Sequence, residues 1–464
     1  MLLSQLQIFN NNNVFYCVWK NIQNYEKQYP LLKDLDIYID PKDSKKAFKL
    51  LKESGWIRVI NPVANYSSIR HYYHFDANNF YHIHLYIGLR TGDSWLKNYY
   101  LPIEEFIIKN SYRDKNQILL LSDSTYYIIF SIRLFIKNST YLGRFLYRKA
   151  KDKYEEEKYF VKKNLSSIKG LNLLDSEFIK FINFLKSEES VYIDIPNIQK
   201  AKSIAKNFNK FLLINKNTTL VRQIFSFLIR LCNKFIFKFK KILMGKGKII
   251  VFYGCDGSGK STMSDTIFNK LSLIIPTKKA HLGKPFCGSY IFNNFIYKSG
   301  NNNYLKYKKK KKNNNLFLHI FNTTLLSLLR LISAYFQIFR RNLGINVITD
   351  RWPANGYSTI DTPSIYKSDE NNFIINLFNS LNLTIYKLIP NADLAIFLDV
   401  DLEKIIERNK NRINSEPEDF IRFRYKQIRS LEIKANKVIK YKNQKDLREA
   451  TNDCLKIILL FMNN

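Results

Sequence analysis

Lys248-Ile-Ile-Val-Phe-Tyr-Gly254-Cys-Asp-Gly-Ser-Gly-Lys260-Ser261-Thr262 reads as a short apolar strand, a glycine-rich turn and the start of a helix over Met263 to Leu271. An apolar run without alternation suits a strand buried on both faces of a parallel sheet. Gly254, Gly257 and Gly259 let the backbone curl so that its N–H groups, with that of Ser258, face an anion, and the helix amino terminus adds a favourable dipole. The stretch satisfies G-x-x-x-x-G-K-[ST] in the strand, loop and helix order that the pattern requires. That chemistry belongs to a nucleoside triphosphate: Lys260 for the β- and γ-phosphates, the Ser261 hydroxyl for Mg²⁺, and Thr262 closing the loop.

Working outward, strands alternate with helices from residue 246 to the end, which predicts an α/β domain with a parallel sheet over 246–464. Gly344-Ile-Asn-Val-Ile-Thr-Asp350-Arg351-Trp352 is an apolar strand ending in an acid and a base. Asp350 then lies at the carboxyl edge of the sheet beside the loop, where it can hold Mg²⁺ or orient an acceptor. Arg351 offers a two-pronged grip for a phosphate. Arg408 and Arg412 are four apart, so they share one helix face and can close over ATP phosphates. A solvated face is the competing reading for that pair.

These motifs resemble those of thymidylate kinases. Tyr253-Gly-Cys-Asp256-Gly-Ser-Gly-Lys-Ser-Thr looks like the family's phosphate-binding loop, Asp350-Arg351-Trp352 like its Asp-Arg-aromatic strand end, and Pro390-Asn-Ala-Asp393-Leu-Ala-Ile-Phe-Leu-Asp399-Val like its fourth strand. The resemblance spans roughly 246–460 and implies a P-loop NTPase fold, ATP and Mg²⁺ as cofactors, Asp256 directed at the acceptor, and a flexible lid around Ile413 to Glu418. Where the family continues with a Ser and an Ala-Tyr pair, this chain has Pro353-Ala-Asn355-Gly-Tyr-Ser358. The acceptor is therefore open between a nucleoside monophosphate and a sugar or polyol derivative.

Residues 1–115 read as a small α/β unit, with strands at Leu35 to Ile39 and Tyr81 to Ile87 and a helix over Ser44 to Ser54. Residues 116–245 read as a helical middle region through Tyr126 to Phe135, Glu177 to Leu185 and Val221 to Leu243. Lys33-Asp34-Leu-Asp36-Ile-Tyr-Ile-Asp40 resembles the start of a polymerase-β-type nucleotidyltransferase domain, whose two acids, one residue apart on a strand, bind Mg²⁺; this makes Asp34 and Asp36 a candidate second metal site. The Gly-Ser pair that precedes such acids is absent. His82 and His84 stand where a third acid is expected, and imidazole suits Mg²⁺ poorly. An inherited fold without transferase activity is the favoured reading.

The net charge of +35 follows a general enrichment in Lys, Asn and Ile, with basic residues spread along the chain, so a nucleic-acid partner is not expected. The tracts Asn301 to Asn303 and Lys308 to Lys312 read as solvated loops. The basic amphipathic segment 221–246 suits either packing on the kinase-like domain or peripheral contact with an anionic membrane. Five dispersed cysteines without C-x-x-C pairs, no secretory leader and no apolar span of about 20 residues predict a cytoplasmic protein. The expected function is ATP-dependent phosphoryl transfer to a small-molecule acceptor, with a homodimer as a further expectation. Two alternatives stay open: a bifunctional nucleotidyltransferase-kinase, and an ATP-gated binding protein at a membrane or nucleic acid.

Overall fold

The structure is a computed structural model that describes residues 1–20, 33–61, 64–92, 95–149, 168–188, 195–214, 216–237, 242–243, 245–283, 316–356, 361–365, 373–410 and 415–463, with single residues at 22, 25, 152, 155, 157, 158, 161, 165 and 285. The Asn301 and Lys308 tracts, Ser358, Arg412, Ile413 and Cys287 lie outside the described residues. The chain divides into two compact units, Met1–Lys241 with Asn463–Asn464, and Ile242–Met462.

In the first unit a mixed sheet runs in the order Ile57–Ile60, Ile69–Phe75, Phe80–Ile87, Asp34–Ile39, Tyr16–Lys20, Leu119–Leu121 and Ser111–Arg113. The helix Asp123–Asn138, capped by Ser122, is buried on nearly every side, and its Ile128, Ile129 and Ile132 join Val18, Ile37 and Leu85 of the sheet in one core. A helix apolar all round can only be an interior element. The change of pattern near residue 115 is therefore no domain boundary. It marks where the chain passes from strands to helices inside one unit, because Leu120 pairs in parallel with Val18. The helix predicted over Val221 to Leu243 is also shorter: Lys216–Cys232 is α-helical, Asn233–Phe237 forms a π turn, and Ile242–Leu243 is extended.

The second unit is an α/β unit with a parallel sheet in the order Thr277–Ala280, Asn346–Thr349, Ile249–Tyr253, Ala392–Asp399, Ala435–Lys442. Ile249–Tyr253 is central and buried throughout, as its unbroken apolar run requires. Asp393, at the amino end of its strand, accepts from the Ile249 N–H at 2.8 Å and from Arg341 at 3.1 Å, so it is a structural residue. Trp352 is fully buried and donates its indole N–H to the Pro390 carbonyl at 3.1 Å, which anchors the segment after Asp350 to the core.

Inside the first unit Arg133 donates to Glu157 at 2.8 Å, both side chains being buried, and Tyr126 donates to the same carboxylate at 3.1 Å. Arg133→Met would strand a buried carboxylate at a cost of about 3–5 kcal/mol. Urea unfolding of the full chain followed by circular dichroism should show that loss, and Arg133→Met with Glu157→Leu should recover most of it. Equal losses in the single and double variants would refute the pairing.

Candidate active site

The glycine loop sits where the central strand leaves the sheet. Gly254 has φ 153°, and a Cβ there would collide with the Ser258 hydroxyl and crowd the Leu398 carbonyl, so only glycine passes. Gly259, at φ 87°, precedes the helix Lys260–Ser272 and turns its first N–H groups toward the loop. Two distant side chains pin the loop from outside. Asn443 donates to the Ser258 carbonyl and Arg408 to the Gly257 carbonyl, each at 2.9 Å. Arg408 is thus a buttress of the loop in this structure, and its proposed helix-mate Arg412 lies outside the described residues.

Strand register assembles the rest. Val251 lies opposite Thr349, and Thr349 opposite Ala280, so two neighbouring strands end level and the central one runs two residues further, which presents Gly254, Asp350 and His281 at one edge. Ser261 donates to Asp350 Oδ2 at 3.0 Å, and His281 Nδ1 lies 2.7 Å from Asp350 Oδ1. Burial by itself raises the Asp350 carboxyl, but the bonds from His281 and Ser261 bring it down to about 2. It is a carboxylate at neutral pH. Ser261 and Asp350 offer the hard oxygen donors that Mg²⁺ prefers, and His281 fixes the orientation of the carboxylate.

Lys260 lies across the loop, 2.9 Å from Asp256 Oδ1 and bonded to the Cys255 carbonyl at 3.2 Å. The other Asp256 oxygen takes Arg424 at 2.8 Å. Burial would raise the Asp256 carboxyl, but Lys260 and Arg424 outweigh it and hold it well below the usual carboxylate range. Arg351 reaches Asp361 at 3.5 Å, and Arg330 reaches the other oxygen of Asp361 at 3.5 Å. Arg330 also donates to the Leu282 and Gly283 carbonyls, which fixes the turn after His281. A cavity lined by Gly254, Asp256, Lys260, Asp350, Arg351 and Asp361 collects these groups. Cys255 is no nucleophile there, because burial pushes its thiol up to about 11.

Sequence reasoning missed four of these residues. His281 directly follows the Thr277–Ala280 strand, a signal of the same kind as Asp350. Arg330, Asp361 and Arg424 come from a long helix, a loop and a basic helix, with nothing local to separate them from other charged residues. Trp352 and Asn355, which follow Arg351, stay outside the cavity: Trp352 is core, and Asn355 donates to Glu432 at 3.2 Å.

The acids of the first unit are arranged differently. Asp34 and Asp36 lie opposite His82 and His84 on the adjacent parallel strand. His82 is 2.7 Å from Asp34, His84 is 2.9 Å from Asp36, and Lys20 is 3.6 Å from the other Asp36 oxygen. Burial would raise the Asp36 carboxyl, but Lys20 and His84 keep it well below the usual range. Among the described residues, no group of three or more His, Cys, Asp or Glu is set to hold a metal ion.

No protein-family model matches the chain, and no curated protein matches it significantly. Solved structures that match include thymidylate kinase from Candida albicans, at 19% identity over 46% of this chain and 91% of that one, with a TM-score of 0.29. Deoxyadenosine kinase from M. mycoides with bound dATP matches at 16% identity over 45% of this chain and 98% of that one, with a TM-score of 0.27.

Asp256 stands between two cations, so Asp256→Asn should destabilise the second unit by about 2 kcal/mol or more at neutral pH. The folded carboxyl titrates below the unfolded one. Its stabilising share is therefore complete above the unfolded value of about 4 and is lost as pH falls below it. Urea unfolding across that range should show the deficit shrinking toward acid pH; a deficit independent of pH would remove the ion pairs as its cause.

Proposed function

We propose that the second unit binds ATP with Mg²⁺ and transfers the γ-phosphoryl to a small acceptor, either a nucleoside monophosphate or a phosphorylated sugar or polyol. The observation that carries this reading is the meeting of Ser261 and Asp350 at 3.0 Å beside Lys260, at the mouth of a glycine loop. These two residues are 89 positions apart in sequence. A glycine turn without function has no reason to bring a hydroxyl and a carboxylate together at the helix amino terminus.

The roles follow from chemistry. Backbone N–H groups of Gly257 and of Gly259 to Thr262 receive the phosphate oxygens, while that of Ser258 is held by the Cys255 carbonyl at 3.0 Å, and Lys260 exchanges Asp256 for the β- and γ-phosphates. Ser261 and Asp350 are the residues that would hold Mg²⁺, which when bound neutralises charge on those oxygens. Asp256 and Arg351 face the acceptor: the carboxylate orients a hydroxyl, and the guanidinium grips a phosphate. Arg424 and Arg330 hold those two groups in place through Asp256 and Asp361. Gly283 lets the Arg351 stem pack closely, since a Cβ there would strike it.

For the first unit we keep the reading of an inherited nucleotidyltransferase-like fold, and the surroundings of its two acids support the absence of transfer chemistry. Asp36 is buried against His84 and Lys20, exposed Asp34 pairs with His82, and the two imidazoles lie on the strand where a third acid is expected.

Incubation with labelled ATP, Mg²⁺ and a panel of nucleoside monophosphates and phosphorylated sugars tests the reading by acceptor-dependent ADP release. Lys260→Ala should lower kcat by on the order of 10²-fold or more, whereas Asp34→Asn with Asp36→Asn should leave it within about twofold. Wild-type turnover in the lysine variant would overturn the assignment. Arg351→Ala should lower kcat/KM for the acceptor by on the order of 10², with ATP affinity by calorimetry little changed. A matching loss of ATP affinity would move Arg351 into the ATP cradle.

A further inference from the structure

The helix Lys216–Cys232 and its π turn wear their amphipathic pattern inside out. Val221, Ile224, Phe225, Leu228, Leu231 and Phe235 are exposed, Phe225 and Phe235 at 64% and 66%. At 100° per residue Val221 to Leu231 fall on one continuous arc, and Phe235 follows in the π turn. The opposite face carries Gln223, Ser226, Arg230 and Asn233, which are half-buried. Arg230 packs over the Trp95 ring at 5.3 Å, and Phe227, at the edge of the arc, stacks on the same ring at 6.0 Å. The helix thus holds to its own unit by its polar face and turns its apolar face outward, the reverse of an ordinary surface helix. Such a face marks a surface that another phase or partner covers.

Charge identifies what covers it. Arg222 and Lys234 are exposed and flank the apolar arc on its two sides. Between Asp194 and Asp256 the sequence has no acidic residue and thirteen Lys or Arg. A second copy of the chain would set these cations against their own images across a two-fold contact. A nucleic-acid duplex would leave the phenylalanines in water, since it is held by cations on the contact face. An anionic bilayer satisfies both halves, taking the apolar arc into the acyl boundary while the flanking cations rise to the headgroups. None of the helices among the described residues is long and apolar enough to cross a membrane, so the contact lies in the plane of the surface.

We propose that the face formed by Val221, Phe225, Leu228 and Phe235 of this helix docks the protein on an anionic lipid surface. The test is sedimentation of the full-length protein with vesicles of phosphatidylcholine alone and of phosphatidylcholine mixed with phosphatidylserine. The protein should pellet with the mixed vesicles and far less with the neutral ones, and added salt should weaken the binding. Phe225→Ser with Leu228→Ser should lower the partition by about tenfold or more. Thermal unfolding should be unchanged in this variant, because both side chains already face solvent. Arg222→Gln with Lys234→Gln should reduce the preference for phosphatidylserine.

Three results would each overturn the proposal. The protein stays in solution with both vesicle types, or the serine variant partitions as the wild type does. In the third, the serine substitutions abolish a dimer seen by sedimentation velocity while vesicle binding is unaltered, which would make the face a contact between copies.

Discussion

Parallel register is the constraint from which the candidate site follows. Because Thr349 lies level with both Val251 and Ala280, the chain places a hydroxyl, a carboxylate and an imidazole at one sheet edge without any of them being near in sequence. A shift of one residue in the Asn346–Thr349 strand would turn Asp350 to the other face of the sheet and break the bonds to Ser261 and His281. The buried central strand and the Trp352 anchor serve the same end, since both hold that register. Glycine in the loop then matters for a second reason: it lets the helix begin immediately above the strand ends.

How much of this could be read in the sequence depended on whether a residue's position was itself a signal. The loop from Gly254 to Thr262 and the acid at Asp350 carry their meaning locally, through spacing and through the end of an apolar run. His281 carried the same signal at the end of a weaker strand, Thr277–Ala280, whose two lysines hid its period. Arg424 and Arg330 had none, because a chain this rich in cations gives every helix an arginine, and only tertiary packing decides which one becomes buried against a carboxylate. The division near residue 115 failed for a related reason. Periodicity reports the kind of element, and the helix Asp123–Asn138 belongs to the core of the strands that precede it.

The two units treat their strand acids differently. In the second, Asp350 is held by groups that leave it beside an open cavity. In the first, Asp36 is closed in by Lys20 and His84 and is buried. Both carboxylates are buried and both meet a histidine, so the difference is that Asp350 lines a cavity whereas Asp36 has Lys20 against its second oxygen, and an acid on a strand looks the same in sequence under either regime. Spacing can announce a carboxylate pair; whether its oxygens are available is settled by neighbours drawn from other strands.

The pairing of Asp256 with Lys260 and Arg424 makes the cavity electrically self-contained before any ligand arrives. On the proposed function, an incoming polyphosphate would have to displace an internal anion, so association would become a competition in which part of the attraction is already spent. The same carboxylate would then favour the reverse step, because it could reclaim its cations as each phosphate departs. Such a cradle would trade tight retention for rapid release, and its occupancy would follow the supply of nucleotide closely, without long storage of spent product.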